Sequence, residues 1–227
     1  IHYFAAAATK YGTFAKGGYQ YPGKTYDGFF KHVEGYESCQ DCHDPHSLQL
    51  KRSECTSCHR SLASVAGTDR THSGGFKDIR TKGSYVDYDG DGNVSEGMYY
   101  EIEDLKHNLY TAILHYGKDV AGKAIVYDSS AYPYFFYDKN ENGVPDPSEA
   151  NYGNRYRSWT PRLLRAAYNY QVAKKDPGGY AHGGKYIIQL LYDSLEDLNY
   201  KIGGAVSMAG MHRGDEGHFD GSTEAWR

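Results

Sequence analysis

The chain has 227 residues, with 25 Lys and Arg against 29 Asp and Glu, for a formal net charge of −4 with His neutral. That balance argues against a nucleic-acid partner, and no apolar run approaches the ~20 residues that a membrane-spanning helix needs. The length supports a real core in one or two domains.

Residues 1–30 carry aromatics between glycine and proline breaks: Tyr11, Phe14, Tyr19, Tyr21, then Pro22-Gly23, then Tyr26 and Phe29. This pattern predicts a short β-hairpin. Residues 31–60 hold all four cysteines, and residues 61–86 read as irregular connection. From Ser95, Met98, Ile102, Leu105, Leu109, Ala112, Ile113 and Tyr116 recur at helical spacing until Gly117. The aromatic stretch Tyr132 to Tyr137 is short and broken by Pro133. Thr160-Pro161 opens a second helix, with a capping residue followed by proline at the first helical position; it runs to Lys175 and stops at Asp176-Pro177-Gly178-Gly179. A third spans Gly184 to Lys201, with Ile187, Leu190, Leu191, Leu195 and Leu198 on one face. The predicted fold is mainly α with extensive irregular loops and a small helical bundle. Residues 1–86 form the cysteine-bearing segment and 87–227 the helical scaffold. The abundance of Tyr (24) and Gly (27) implies many turns, and aromatic packing around flat groups in place of a large aliphatic core.

Cys39-Gln40-Asp41-Cys42-His43 and Cys55-Thr56-Ser57-Cys58-His59 are two C-x-x-C-H motifs that use every cysteine. The motif signals covalent attachment of c-type haem, with both thiols in thioether bonds to the porphyrin and the adjacent His on iron. A structural zinc site would also want two Cys-x-x-Cys pairs. Eleven residues are His, so a His after both pairs by chance is about a 1 in 400 event on composition. The cofactors expected are therefore two covalently attached haem c groups. Covalent attachment takes place outside the cytoplasm, so the chain, which opens at Ile1, is expected to be a processed protein or a piece of a longer one, extracellular or at the cell surface, with the periplasm as the alternative.

A second His on iron keeps the potential low, whereas Met raises it. Histidine is plentiful and Met is confined to Met98, Met208 and Met211, which favours bis-histidine haems. His46 lies too close to His43 to reach the opposite face of the same haem, and is expected to ligate the haem on Cys55 and Cys58. His32, seven residues before Cys39, and His182, at the start of the third helix, are the other distal candidates. His2 and His72 are weaker ones, and His107 and His115 fall off the apolar stripe.

Two stretches resemble calcium loops. Asp138 to Glu149 supplies oxygen ligands from Asp138, Asn140, Asn142 and Asp146, the Val144 carbonyl, a turn at Gly143 and a closing Glu149. Pro145 replaces the usual aliphatic residue, which disfavours a paired EF-hand. Asp87, Asp89, Asp91 and Asn93 begin a second loop, but Met98 holds its twelfth position, and Glu96 or Glu101 must substitute. One or two structural calcium ions are expected in a chain without disulfides.

Together these residues resemble the secreted or surface-exposed multihaem c-type cytochromes. CQDCHDPHSLQLKRSECTSCH resembles their doubled haem module, while DYDGDGNVSEGM, WTPRLLRAAYNYQ and AHGGKYIIQLLYDSLEDL resemble the helical region that follows it. The resemblance implies electron transfer through bis-His haems and strengthens His46 and His182. Such proteins usually carry more haems, and the tail HRGDEGHFDGSTEAWR resembles the lead-in to a further motif. The chain is thus expected to be a module of a longer cytochrome, or a subunit that stacks head to tail into a filament, with His2, His212 or His218 against a neighbour's haem. Its partners would be copies of itself or other cytochromes. The competing readings are a haem enzyme with an open iron, of the di-haem peroxidase or nitrite- or hydroxylamine-converting kind, and a calcium-dependent binding module.

Overall fold

The computed structural model describes residues 2–56, 58–59, 75–80 and 86–214. Its helices are α1 (His2–Ala15), α2 (Cys39–Cys42), α3 (Arg52–Cys55), α4 (Met98–His115), α5 (Pro161–Lys175) and α6 (Gly179–Ile202). A two-stranded antiparallel sheet pairs β1 (Ile125–Tyr127) with β2 (Phe135–Tyr137), in register Val126 to Phe136. The protein is mainly helical, as expected. Among the described residues no helix is long and apolar enough to cross a membrane.

α6 is the central element and touches α1, α4 and α5. Ile187, Ile188, Leu190, Leu191, Leu195 and Leu198 on α6 are all buried. All but Leu190, which lies against Gly18, share one core cluster with the apolar stripe that runs along α4 and ends at Tyr116, every expected residue of which is buried, and with Leu163, Ala166, Ala167 and Ala173 of α5. Thr160 caps α5 with its hydroxyl oxygen, which accepts the Leu163 N–H at 3.2 Å. α4 begins at Met98 and not at Ser95, because the Asn93 side chain captures the Ser95 N–H (3.2 Å) and hydroxyl (2.8 Å) and holds that residue in the loop.

The expected N-terminal β-hairpin is replaced by α1. The run Ala5 to Ala8 has the highest helix propensity of any residue type, and it outweighs the aromatic alternation. Residues 16–30 form no ladder. Several of their backbone groups are taken by side chains of α5 and α6 instead: Asn169 clasps Tyr19 through both N–H (2.6 Å) and C=O (3.0 Å), the Tyr186 hydroxyl accepts from Gly18 N–H at 3.1 Å, and Gln189 Oε1 accepts from Asp27 N–H at 2.8 Å. This lacing is what makes buried polar residues tolerable on the helices.

Much of the aromatic content lies around the β1–β2 pair. Tyr110 stacks on Tyr170 at 5.3 Å, Tyr127 meets Tyr170 edge-on at 5.2 Å, and Phe135 meets Trp159 edge-on at 5.5 Å. These rings fill the core against one another.

Candidate functional site: two motif turns and two acidic loops

Each C-x-x-C-H motif forms one tight turn. In the first, α2, Ser38 and Asp41 make a capping box, with Ser38 N–H donating to Asp41 Oδ2 at 2.6 Å. His43 N–H donates to the Cys39 carbonyl at 2.8 Å, and the second motif repeats the closure with His59 N–H on the Cys55 carbonyl at 2.9 Å. The two turns are tied together. Asp44 N–H donates to Gln49 O and Lys51 N–H to Cys42 O, both at 2.9 Å, while Asp44 Oδ1 gathers the N–H groups of His46 and Ser47. Cys39 and Cys58 are exposed and Cys42 and Cys55 half-buried, so the thiols lie at the surface of the segment. Burial pushes the thiols of Cys42 and Cys55 above the ordinary cysteine range.

Two histidines from outside the motifs stand opposite the motif histidines. The rings of His43 and His182 are 6.3 Å apart between centroids, and those of His32 and His59 are 6.0 Å apart. A bond from a metal to an imidazole nitrogen is about 2.0–2.1 Å, and the ring centre lies about 1 Å behind the nitrogen, so two imidazoles on opposite sides of one metal ion have centres about 6 Å apart. Both pairs fit that span. Orientation agrees as well. His43 Nδ1 is 2.9 Å from the Leu48 carbonyl, and His182 Nδ1 is 2.8 and 3.0 Å from the two oxygens of Asp176. Those acceptors fix the Nδ1–H tautomer and leave Nε2 as the atom that could ligate a metal. Burial holds His32 and His59 below the ordinary imidazole range, which favours the neutral form that binds metal.

His182 owes its position to its neighbours. The helix breaks at Gly183, directly after it, so residues 179–182 form a turn of their own ahead of the main helix. A Cβ on Gly183 would lie 2.5 Å from the Thr9 carbonyl oxygen, and one on Gly178 would lie 2.7 Å from His182 Cε1. Asp176, 3% exposed, carries no motif signal in the sequence, though it sits in the Asp-Pro-Gly-Gly stop six residues before His182.

The remaining candidates are placed elsewhere. His46 is exposed in the turn held by Asp44, and among the described residues its ring meets neither His43 nor His59. His107, His115 and His212 are exposed. The side chain of His2 and all of His72 and His218 lie outside the described residues, as does Ser57 of the second motif.

The two acidic loops share one hydrogen-bond plan. In the second, Asp138 Oδ2 accepts from Gly143 N–H (2.7 Å), Asn140 Oδ1 from Asn142 N–H (3.1 Å), and Asn142 Oδ1 from Val144 N–H (2.8 Å). In the first, Asp87 Oδ2 accepts from Gly92 N–H (2.6 Å), Asp89 Oδ1 from Asp91 N–H (3.0 Å), and Asp91 Oδ1 from Asn93 N–H (2.6 Å). The closing glutamate behaves alike too. Glu149 Oε1 accepts from Lys139 and Asn140 N–H (2.7 and 3.4 Å), and Glu101 Oε2 from Tyr88 and Asp89 N–H (2.8 and 3.2 Å). Asp146 Oδ1 takes the Ser148 N–H (2.8 Å) and hydroxyl (2.6 Å).

Several buried oxygens have no protein donor: Asp138 Oδ1 and Glu149 Oε2 in one loop, Asp89 Oδ2 and Glu96 Oε1 in the other. Burial pushes the Asp89 carboxyl up to about 8, with the nearby Glu101, Asp91 and Glu96 charges adding to it. Burial likewise pushes Glu96 up to about 7, with Glu101, Asp91 and Asp104 adding. Arg80, which no sequence motif marks, donates to Glu101 Oε1.

The chain is similar to polyhaem proteins over part of its length. It is 36% identical over 85 residues to the C-type polyheme cytochrome OmcB of two strains of Geobacter sulfurreducens, covering 34% of this chain and 11% of the relative. It is 36% identical over 110 residues to the C-type polyheme cytochrome OmcC of Geobacter sulfurreducens, covering 44% of this chain and 14% of the relative. The matches thus span well under a fifth of the length of those proteins. No family model and no solved structure matches the chain.

Proposed function

We propose that the chain is an electron-transfer module of the multihaem c-type cytochrome kind, carrying two bis-histidine haems. Cys39, Cys42 and His43 with distal His182 hold one haem, and Cys55, Cys58 and His59 with distal His32 hold the other. The observation that carries this reading is the pair of opposed imidazoles at 6.0 and 6.3 Å, one motif histidine in each. Partial similarity to polyheme cytochromes supports it. On this assignment His46 is not the distal ligand of the second haem. Its segment orders the turn between the two motifs.

Haem iron, when bound, supplies a reversible one-electron couple. The chain's own part is to close both axial positions, which leaves no site for a substrate and favours electron carriage over catalysis. A further structural element is calcium at the Asp138–Glu149 loop, where two buried oxygens face no protein donor and the ligand pattern is that of the twelve-residue calcium loop. The reading extends to an extracellular or cell-surface setting, since c-type attachment occurs outside the cytoplasm, and to further copies of the chain or other cytochromes as electron partners.

The test is absorption and paramagnetic-resonance spectroscopy of the oxidised holoprotein with and without cyanide. Two low-spin haems unmoved by cyanide are expected. His182→Ala and His32→Ala should each convert one haem, and only one, to a cyanide-binding high-spin form, while His46→Ala should leave both low-spin. A wild-type high-spin fraction that takes cyanide would return the haem-enzyme reading. Loss of a low-spin haem in His46→Ala would overturn the pairing of His32 with His59 and of His182 with His43.

A further inference from the structure

We propose that the Asp87 loop is a second divalent-cation site of the calcium class, closed by a division of labour between Glu101 and Glu96 in place of a single glutamate at the twelfth position. The site stands independently of the haem reading.

In the Asp138 loop one residue does two things. Glu149 braces the loop by accepting two backbone N–H groups through Oε1, and it leaves Oε2 buried and without a donor. In the Asp87 loop these tasks are separate. Glu101, fully buried on α4, braces the loop through Oε2, and its Oε1 is engaged by Arg80. Asp87, Asp89 and Glu101 also offer one oxygen each within 4.8 Å of one another, but both Glu101 oxygens already accept from protein donors, so we assign Glu101 to positioning and the closing role to Glu96.

The oxygens that are left over belong to other residues. Asp89 is 4% exposed, and its Oδ2 has no partner; Glu96 Oε1 is buried and also has none. One carboxylate oxygen from each of Asp89, Asp91, Glu96 and Asp104 lies within 4.8 Å of the others. A buried carboxylate oxygen without a donor is a rare and costly feature unless a cation or water satisfies it. Four carboxylates converging on one point repel each other unless a positive charge sits among them. An all-oxygen, all-carboxylate set suits a hard cation with flexible coordination, which selects calcium over the N- and S-seeking metals. Asp104 belongs to α4 itself, so the ion would bind loop and helix together.

The experiment is calorimetric titration of the haem-loaded protein with Ca²⁺ alone, after chelation and desalting. Two equivalents are expected for the wild type. Glu96→Gln should weaken one equivalent at least tenfold and leave the other unchanged, and Glu149→Gln should do the complementary thing. The double variant should bind neither. Asp104→Asn, at an exposed position where folding is not at stake, should weaken the same equivalent as Glu96→Gln. A wild type that binds a single equivalent lost in Glu149→Gln, or Glu96→Gln and Asp104→Asn proteins that keep both equivalents at wild-type affinity, would overturn the proposal. A single equivalent lost in Glu96→Gln would uphold this site and count against calcium at the Asp138 loop.

Discussion

Replacing Asp176 by Asn isolates one electrostatic contribution to one haem. The carboxylate is 2.8 Å from His182 Nδ1, and Nδ1 stands about 4 Å from a metal bound through Nε2, so its charge would lie about 6–7 Å from iron. At that distance a unit charge stabilises the extra positive charge of ferric iron by about 0.6 kcal/mol in a water-like dielectric and by about 2.6 kcal/mol at an effective dielectric near 20. A tenfold change in a one-electron equilibrium is about 59 mV and 1.36 kcal/mol, so the two limits convert to about 30 and 110 mV. Asp176 is buried while the His182 side chain is 27% exposed, which places the effect between the limits. The sign is upward, because removing the anion destabilises the ferric state. The Asn carbonyl can still accept from His182 Nδ1–H and from Gly178 N–H, a bond now made to Asp176 Oδ1 at 3.2 Å, so ligation and fold are kept. Spectroelectrochemical titration should show one of the two midpoint potentials rising by this amount and the other moving less. Two low-spin haems with neither potential raised would refute the placement of Asp176 behind an axial ligand.

Two further predictions concern stability. Leu191 on α6 is fully buried at the meeting of the helices, so Leu191→Ala should lower unfolding free energy by about 2–5 kcal/mol in urea titration; a loss below about 1 kcal/mol, the scale of a surface change, would mean α6 is not central. Thr160→Ala removes the cap on α5 and should cost about 1 kcal/mol, read as a lower urea midpoint with unchanged slope.

The helices α4, α5 and α6 are readable in the sequence because their apolar residues keep helical period and their ends carry strong chemical signals. Thr160-Pro161 and the Asp-Pro-Gly-Gly stop mark α5 to the residue. The N-terminal segment misleads for a tertiary reason: its alternating aromatics look like a strand pair, but Asn169, Tyr186 and Gln189, far away in sequence, satisfy the backbone that a ladder would have paired. The β1–β2 pair is hidden because three-residue strands leave almost no period to detect. At the site, the motif cysteines and histidines are explicit, since spacing alone encodes them. Which other histidine lies beside which motif histidine is not, because for His182 it depends on how α6 breaks at Gly183. Glu101 can be seen as a stand-in for a missing twelfth ligand, but only three dimensions show that Arg80 and two backbone N–H groups have already claimed it.

The placement of His182 and of the acidic loops follows from one scarcity. Both motifs together use all four cysteines, so once they hold haem no thiol remains to make a disulfide, and cross-links over long sequence distances must come from elsewhere. On the proposed ligation, His182 would join the motif segment to α6 across more than half the chain, and His32 would tie the stretch before the motifs to the second of them. The Asp138 loop starts directly at the end of β2, and the Asp87 loop runs into α4. Closing a long loop removes more conformational freedom from the unfolded chain than closing a short one, so a His43–His182 link through haem would be the most effective of these staples. On that reading ligation and cation binding would act on folding and on function at once. On the proposed ligation, the imidazole that would close an iron to substrates would also fix the haem segment on the helical core, and stability gained in this way would follow the occupancy of the bound group. A chain built like this has reason to commit a buried carboxylate, Asp176, and a close-packed glycine, Gly183, to the orientation of a single histidine.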